Sequence, residues 1–164
     1  MTSLNKKIEL LVNQLGKVCQ DKRITLVTAE SCTGGGIAYF ITKEPQCSAM
    51  LERGYVTYSN QAKVSLLEVS PEALQIFGAV SKKVTQQMAE GALKNSTAQV
   101  AVATSGIAGE DIESGQSKTG VVWIACAGIA KKTLIREFSI KGEREEFVLH
   151  TILTAFELLY EFIS

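Results

Sequence analysis

Histidine is almost absent from this chain of 164 residues, and that scarcity excludes whole classes of chemistry. One histidine, His150, cannot build a metal site from several imidazoles, and it leaves a Ser-His-Asp triad without support. It falls on a predicted helix, where we expect a structural role. The four cysteines, at 19, 32, 47 and 126, are too scattered for the paired spacing of a zinc site or a redox motif, so we expect reduced thiols.

Long apolar runs and an excess of one charge are also missing. No apolar stretch approaches the length of a transmembrane helix, and residues 1–7 lack the apolar region of a signal peptide. We therefore expect a cytoplasmic protein with no membrane partner. Seventeen basic residues balance seventeen acidic ones, and no Lys/Arg block is longer than a pair, so the overall charge would not attract nucleic acid.

The chain is rich in apolar residues, and their spacing is periodic. They make up 46% of the sequence, enough for the core of one domain, which we expect to span residues 1–164. Helical stripes and start signals predict helices over 3–19, 34–42 and 82–95, from 143 to the C-terminus, and two short ones beginning near Asn60 and Pro71. Strand-like runs lie at 24–28, 51–59, 98–104, 121–127 and 133–140. This mixture predicts the α/β class, as a three-layer α/β/α sandwich with a mixed sheet.

The first predicted strand leads into a glycine-rich turn. The residues Glu30-Ser31-Cys32-Thr33 precede three consecutive glycines, 34–36, and an apolar helical segment. Such a turn at a helix N-terminus can bring backbone N–H groups close to an anion and present a serine or cysteine at its apex. Glycines in this position also serve close packing of helix against strand. The pattern alone leaves a site and a scaffold both open.

Two further polar clusters follow predicted strands. They are Tyr58-Ser59-Asn60 with Lys63, and the segment from Ser105-Gly106 to Gly109. Ligands bind at the carboxyl ends of strands in α/β folds, so the three clusters could meet in one crevice. Lys63, about one turn into a short helix, could act as a general base if burial or a neighbouring cation lowers its pKa. Its alternative is an ordinary solvated lysine.

Two other candidates have simpler explanations. Cys32, at a predicted helix N-terminus, could be a nucleophilic thiolate, although a small buried thiol is the commoner case. Glu110, Asp111 and Glu113 could bind a hard divalent cation, although a solvated acidic loop is far commoner. We predict neither a metal nor a cofactor.

Taken in order, five segments resemble the CinA C-terminal domain family. They are Glu30-Ser31-Cys32-Thr33-Gly34-Gly35, Glu52 to Asn60 with Lys63, Gly78-Ala79-Val80-Ser81, Met88-Ala89-Glu90-Gly91-Ala92 and Ser105-Gly106-Ile107-Ala108-Gly109. The resemblance runs over roughly residues 5–160. The family includes stand-alone enzymes of this length that hydrolyse the carboxamide of nicotinamide mononucleotide, giving nicotinic acid mononucleotide and ammonia.

The resemblance implies that a serine acts with Tyr58 and Lys63 through an acyl-enzyme. Two serines occupy family motif positions: Ser31 in the first motif, and Ser48 in Pro45-Gln46-Cys47-Ser48, which is similar to the family's Pro-Gly-Ser-Ser turn. Lys63 would take the hydroxyl proton, Tyr58 would relay or orient it, and turn amides would hold the oxyanion or the phosphate. The implied substrate-binding residues are Glu30, Thr33, Gly34, Gly35, Asn60, Ser105, Gly106, Gly109 and Arg144. The expected partner is a small nucleotide, and the resemblance also favours a homodimer or other homo-oligomer.

Several positions depart from the family pattern. Carboxylates at 110, 111 and 113 replace a proline and glycine segment, and Val148 stands where the family has a second arginine after the one at Arg144. If these positions border the phosphate, the exchange disfavours a dianion, since a like-charge contact in a partly buried cleft costs about 1 kcal/mol or more. The alternative function is therefore a catalytically silent paralogue that binds another nucleotide or acts as an interaction subunit. A nucleic-acid partner is the weakest hypothesis, because the net charge is zero and no basic stripe is present.

Overall fold

The computed structural model describes residues 3–108 and 119–164. Its strands are β1 Leu26–Glu30, β2 Leu51–Val56, β3 Val100–Gly106, β4 Val121–Gly128 and β5 Lys131–Ser139. Its helices are α1 Ser3–Lys22, α2 Gly36–Lys43, α3 Asn60–Leu67, α4 Pro71–Phe77, α5 Lys82–Lys94 and α6 Arg144–Ile163, with a short 3₁₀ helix at Ser48–Met50. None of the helices in these two ranges combines the length and the hydropathy needed to cross a membrane.

The five strands form one mixed sheet in the order β2-β1-β3-β4-β5. The first three in that order run parallel, and β4 and β5 form an antiparallel hairpin beside β3. Glu30 pairs with Val56 on one side and with Thr104 on the other. The three parallel strands therefore end level with one another, and the residues that follow them meet along one edge of the sheet.

Helices cover both faces of this sheet, so the predicted three-layer sandwich is confirmed. On one face α1, α2 and α6 pack over a core that includes Ile8, Ile37, Val102 and Phe156. On the other face α3, α4 and α5 enclose a second core that includes Val27, Leu67, Met88 and Ala101. The strands between the two cores are buried on both sides, which explains why β1 and β3 lack a clean alternation of apolar and polar residues.

The strand ends nearest the predicted site differ from the sequence prediction by two or three residues. The amide of Thr25 donates to the Gln99 side chain, and β1 begins only at Leu26, so that Glu30 is its last residue. At the end of β2 the amide of Thr57 still donates to Glu30 O, at 2.8 Å, but the chain then turns into α3. Ser59 caps that helix by accepting from the amide of Ala62. Tyr58 therefore lies beyond the strand, in the turn that precedes α3.

Gly91 allows α3 and α5 to approach closely. A Cβ at this buried position would lie 1.9 Å from the carbonyl oxygen of Leu67, the last residue of α3. Glycine inside a helix normally costs about 1 kcal/mol relative to alanine. Here the missing side chain lets the end of α3 rest directly on α5, and so helps to fix the helix that carries Lys63.

We therefore expect Gly91→Ala to destabilise the protein, although alanine is the better helix former. Separating the two helices should lower the free energy of unfolding by about 1–3 kcal/mol, measured by urea denaturation. Lys83→Ala, at an exposed position of α5, is the control and should stay within about 0.5 kcal/mol of wild type. A more stable Gly91→Ala variant would show that the helices separate without cost.

Candidate active site

Ser31 is the first residue after β1, and its main chain is fixed from both sides. Its amide donates to Thr104 O at 3.1 Å, and its carbonyl accepts from the amide of Gly34 at 3.1 Å. The turn that follows needs two residues in the left-handed region, and Gly34 and Gly35 supply them with φ of 59° and 94°. The side chain of Ser31 is thereby held at the carboxyl end of the sheet, with 8% of the residue exposed.

Lys63 is buried beside Ser31, with only 1% of its surface exposed. It is the fourth residue of α3, and side chains in a helix lean toward the N-terminus, which here faces the ends of β1 and β2. Its Nζ lies 3.1 Å from Ser31 Oγ, 2.8 Å from Thr57 O and 3.0 Å from Tyr58 O. The lysine therefore connects the predicted nucleophile to the turn between β2 and α3.

Burial lowers the pKa of Lys63, with a smaller opposing effect from Cys32. Among the described residues no carboxylate bonds to Nζ, so nothing of opposite charge compensates the loss of hydration. The three partners also suit a neutral amine. Its two N–H groups can donate to the carbonyls of Thr57 and Tyr58, which leaves the nitrogen lone pair for the Ser31 hydroxyl. This is the arrangement that a general base for serine requires.

Glu30 fills the position where the sequence predicts an anion site. Its fully buried carboxylate accepts from Thr33 Oγ1 at 2.6 Å and from the amides of Ile37 and Ala38 at 2.8 and 3.1 Å. The first turn of α2 is thus neutralised by the protein's own carboxylate. Within the described residues, the turn amides of Thr33 and Gly35 donate to no acceptor and remain open.

Ser48 is placed far from this pair. It begins the 3₁₀ helix immediately before β2, whereas Ser31 follows β1, and the two strands are parallel neighbours. Ser48 therefore lies at the amino end of the strands, about 17 Å from the other edge for a strand of this length. Its hydroxyl is occupied by the carbonyl of Pro45, at 3.1 Å. Of the two candidate nucleophiles, only Ser31 contacts Lys63.

Tyr58 reaches the site through its main chain. Its carbonyl accepts from Lys63 Nζ, but its side chain is 65% exposed. The hydroxyl has no hydrogen-bond partner among the described residues, so the predicted proton relay has no geometric counterpart here.

The remaining predicted binding residues have mixed surroundings. Asn60 is exposed at the first position of α3. Ser105 is buried and donates to Ala79 O at 2.8 Å, and Gly106 packs tightly, since a Cβ there would lie 2.9 Å from Val121 O. Gly109 lies outside the described residues, as do the acidic residues at 110, 111 and 113.

Arg144 lines a cavity of about 690 Å³ at the same edge of the sheet as Ser31. The cavity is framed by Ala108 after β3, by the start of β4 and by the end of β5, and Lys141 contributes a second cation. The shared edge follows from the register, because Gly106 pairs with Val122 and Val121 pairs with Ser139. Val148, one turn further along α6, packs against the apolar core.

The cysteine alternative receives no support from the geometry. Burial raises the pKa of the Cys32 thiol to about 12, an effect that the neighbouring Thr104 side chain only partly offsets. A thiol with that pKa is protonated near neutral pH and is a poor nucleophile. In the described ranges no group of three or more His, Cys, Asp or Glu side chains could hold a metal ion, and His150 is exposed on α6.

Two threonines complete the site although the sequence did not single them out. Thr57 accepts from Lys63 through its carbonyl, and Thr104 shares a hydrogen bond of 2.9 Å between its hydroxyl and that of Thr33. Any residue type can offer a main-chain carbonyl, so the contact of Thr57 with Lys63 could not have been predicted from the sequence. Thr104 had a weak signal, because it is a polar residue near the end of a buried strand.

The fold and the site together define a class, a three-layer α/β/α protein with a buried serine–lysine pair at the carboxyl edge of its parallel strands. The chain belongs to the CinA C-terminal domain family, whose model matches residues 8–163. The nicotinamide-nucleotide amidohydrolase PncC of Escherichia coli strain K12 is 40% identical over 151 residues, which cover 92% of each chain. The crystal structure of the competence/damage inducible protein CihA from Agrobacterium tumefaciens is 40% identical, with a TM-score of 0.90 over 94% of each chain.

Other relatives are much longer proteins. A putative competence-damage inducible protein of Acetivibrio thermocellus is 39% identical over 147 residues, which are 90% of this chain but 35% of that protein. The chain thus spans about a third of that relative. The matched region is nearly the whole length of some relatives and only one part of others.

The buried lysine predicts a specific dependence of stability on pH. Because the folded-state pKa of Lys63 is lowered, the unfolded chain binds the extra proton between that pKa and the ordinary lysine value of about 10.4. Stability from this residue is therefore complete at high pH and is lost as the pH falls through this window. Relative to Lys63→Met, the free energy of unfolding of wild type should rise with pH by up to about 1.4 kcal/mol per unit.

Urea denaturation of both proteins at several pH values measures this difference. Lys17→Met, which removes an exposed lysine of α1, controls for the change in net charge. If wild type and Lys63→Met keep a constant difference in stability across the window, Lys63 does not lose its proton on folding.

Proposed function

We propose that this protein hydrolyses the carboxamide of nicotinamide mononucleotide, releasing ammonia and nicotinic acid mononucleotide, through an ester on Ser31. The observation that carries the proposal is the contact between Ser31 Oγ and the buried Nζ of Lys63. Relatives that match nearly the whole chain, such as PncC of Escherichia coli, are named nicotinamide-nucleotide amidohydrolases, which supplies the substrate class. The serine–lysine pair supplies the chemistry.

Acylation uses Lys63 as the base. Neutral Nζ removes the hydroxyl proton of Ser31 as Oγ bonds to the carboxamide carbon, and the carbonyl π electrons move onto oxygen. When the tetrahedral intermediate collapses, the C–N bond breaks and the proton held by Lys63 is transferred to the departing nitrogen. Ammonia leaves, Lys63 is neutral again, and the nicotinoyl group is esterified to Ser31.

Deacylation repeats the sequence with water in place of serine. Lys63 takes a proton from the water that attacks the ester carbon, and returns it to Ser31 Oγ as the ester bond breaks. Nicotinic acid mononucleotide is released with its new carboxyl group, and the Ser31 hydroxyl and neutral Lys63 are restored. No step needs a metal, because Lys63 generates the nucleophile in each half of the reaction.

The open amides of the glycine turn are the proposed oxyanion donors. The N–H groups of Thr33 and Gly35 lie in the turn that begins at Ser31. Preorganised backbone donors at the position of developing charge commonly contribute about 3–4 kcal/mol to lowering a barrier. Glu30 fixes this turn by binding Thr33 and the start of α2, so we assign it a supporting role.

The cavity beside Arg144 is the proposed position of the substrate phosphate. Arg144 and Lys141 are the cations that line it, and both are exposed. Guanidinium and ammonium groups pair favourably with phosphate oxygens. Val148, partly buried against the core, replaces the second cation of the family pattern, so Arg144 and Lys141 carry this interaction beside the carboxylate of Glu143.

The nucleophile is tested by measuring ammonia release from nicotinamide mononucleotide in the presence of a chelator. Ser31→Ala and Lys63→Met should each lower kcat by at least about 1000-fold, since each removes an essential half of one unit. Ser48→Ala is the matched control and should retain wild-type activity, because Ser48 lies at the other end of the strands.

Thermal melts of all three variants confirm that they are folded. A fall of kcat in Ser48→Ala together with an active Ser31→Ala would assign the nucleophile to Ser48. The absence of turnover by wild type would exclude the activity and favour a binding role.

The phosphate position is tested with Arg144→Gln. We expect KM for nicotinamide mononucleotide to rise about fivefold, the effect of losing an exposed ion pair worth about 1 kcal/mol. KM for nicotinamide riboside, which lacks the phosphate, should not change. Lys132→Gln, the same charge change at an exposed residue near the start of β5, is the control. Equal effects of Arg144→Gln on both substrates would place the phosphate elsewhere.

A further inference from the structure

Tyr58 lies beside the Ser31–Lys63 pair, and its side-chain hydroxyl has no hydrogen-bond partner among the described residues. Its carbonyl oxygen and Ser31 Oγ are both bonded to Lys63 Nζ, so these two oxygens lie at most about 6 Å apart. Three residues earlier, Tyr55 has an ordinary structural role, because its hydroxyl donates to Asn95 O at 2.6 Å. The side chain of Tyr58 is instead 65% exposed.

The substrate of the proposed reaction brings a permanent positive charge to this place. The pyridinium ring of nicotinamide mononucleotide is cationic, and the carboxamide that Ser31 would attack is attached directly to it. When that carboxamide carbon is at Ser31, the ring must therefore lie within a few ångströms of Lys63 and of the Tyr58 main chain.

The buried carboxylate that precedes Ser31 in the sequence cannot neutralise that charge. Glu30 is fully buried, and its oxygens already accept from Thr33 and from two amides of α2. Lys63 offers no attraction either, since its protonated form would repel a pyridinium and its neutral form is indifferent to it. Among the described residues that contact Lys63 Nζ, Tyr58 has the aromatic ring that can attract a cation through its face.

On the basis of the proposed function, we infer that the ring face of Tyr58 covers the pyridinium and selects a cationic ring over a neutral one. This role depends on the aromatic face and leaves the phenol hydroxyl without a part in proton transfer. Tyr58 is then a specificity residue, and the proton path runs between Ser31 and Lys63 alone.

Comparing Tyr58→Phe with Tyr58→Leu distinguishes the contribution of the phenol hydroxyl from that of the aromatic ring. Steady-state kinetics on nicotinamide mononucleotide should give Tyr58→Phe a kcat close to that of wild type, with most of the affinity retained. Tyr58→Leu should raise KM by about 3- to 30-fold, which is the range of a cation–π contact. Both changes are at an exposed side chain, and thermal melts verify that the variants are folded.

An uncharged analogue of the substrate distinguishes recognition of the ring's charge from recognition of its shape. The benzamide ribonucleotide has a ring of the same size without the charge, and its inhibition constant is measured for the same proteins. We expect Tyr58→Leu to weaken it by less than threefold while KM for the cationic substrate rises more.

Three outcomes would overturn the inference or its basis. A fall of kcat by 100-fold or more in Tyr58→Phe, with KM unchanged, would assign the hydroxyl to proton transfer. An equal loss for the cationic and the neutral nucleotide in Tyr58→Leu, or no loss for either, would exclude charge recognition while leaving the proposed function intact. The absence of turnover by wild type would remove the proposed function itself.

Discussion

The burial of Lys63 against Ser31 is the constraint on which the rest of the site depends. A lysine with 1% of its surface exposed, and with no carboxylate on its nitrogen among the described residues, would be costly as a cation, so the fold favours the neutral amine. The polar hydrogens are still satisfied, because the turn after β2 offers two carbonyls at 2.8 and 3.0 Å. This requires β1 and β2 to end level, which their parallel register provides. One pairing of neighbouring strands thus positions Lys63 beside Ser31, in surroundings that lower the pKa of the lysine.

The glycine turn has a different role from the one its sequence first indicates. A helix N-terminus that follows a glycine-rich turn commonly binds an external anion, but here Glu30 occupies that position from within. The internal carboxylate binds both ends of the turn, and the amides of Thr33 and Gly35, the proposed oxyanion donors, have no acceptor among the described residues. The proposed site for the substrate phosphate lies elsewhere along the same edge, where Arg144 and Lys141 line a cavity.

Much of this arrangement could be predicted from the sequence. Periodicity and helix start signals identified the six α-helices and five strands of the described residues but not the 3₁₀ helix Ser48–Met50. The rule that ligands bind at the carboxyl ends of strands placed Ser31 and Lys63 at the same edge of the sheet. The same rule could have separated the two serines, because Ser48 precedes a parallel strand while Ser31 follows one. The internal use of Glu30 and the main-chain contacts of Thr57 and Tyr58 could not have been predicted. They depend on where backbone groups point, which residue type does not record.

The cost in stability of the buried Ser31–Lys63 pair helps to decide between an active enzyme and a catalytically silent paralogue. Removing a buried, desolvated lysine in favour of an apolar side chain of similar length is often neutral or stabilising, so a protein that only bound a ligand would gain by losing it. Arrangements that weaken a fold without helping it are typical of functional sites. Lys63 is desolvated, which lowers its pKa, and its nitrogen contacts a serine that the turn holds at 8% exposure. We propose that the departures from the family pattern, Val148 among them, change how a nucleotide is held and leave the Ser31–Lys63 pair unchanged. The physical evidence therefore favours catalysis, with the departures from the family pattern acting on affinity for the substrate.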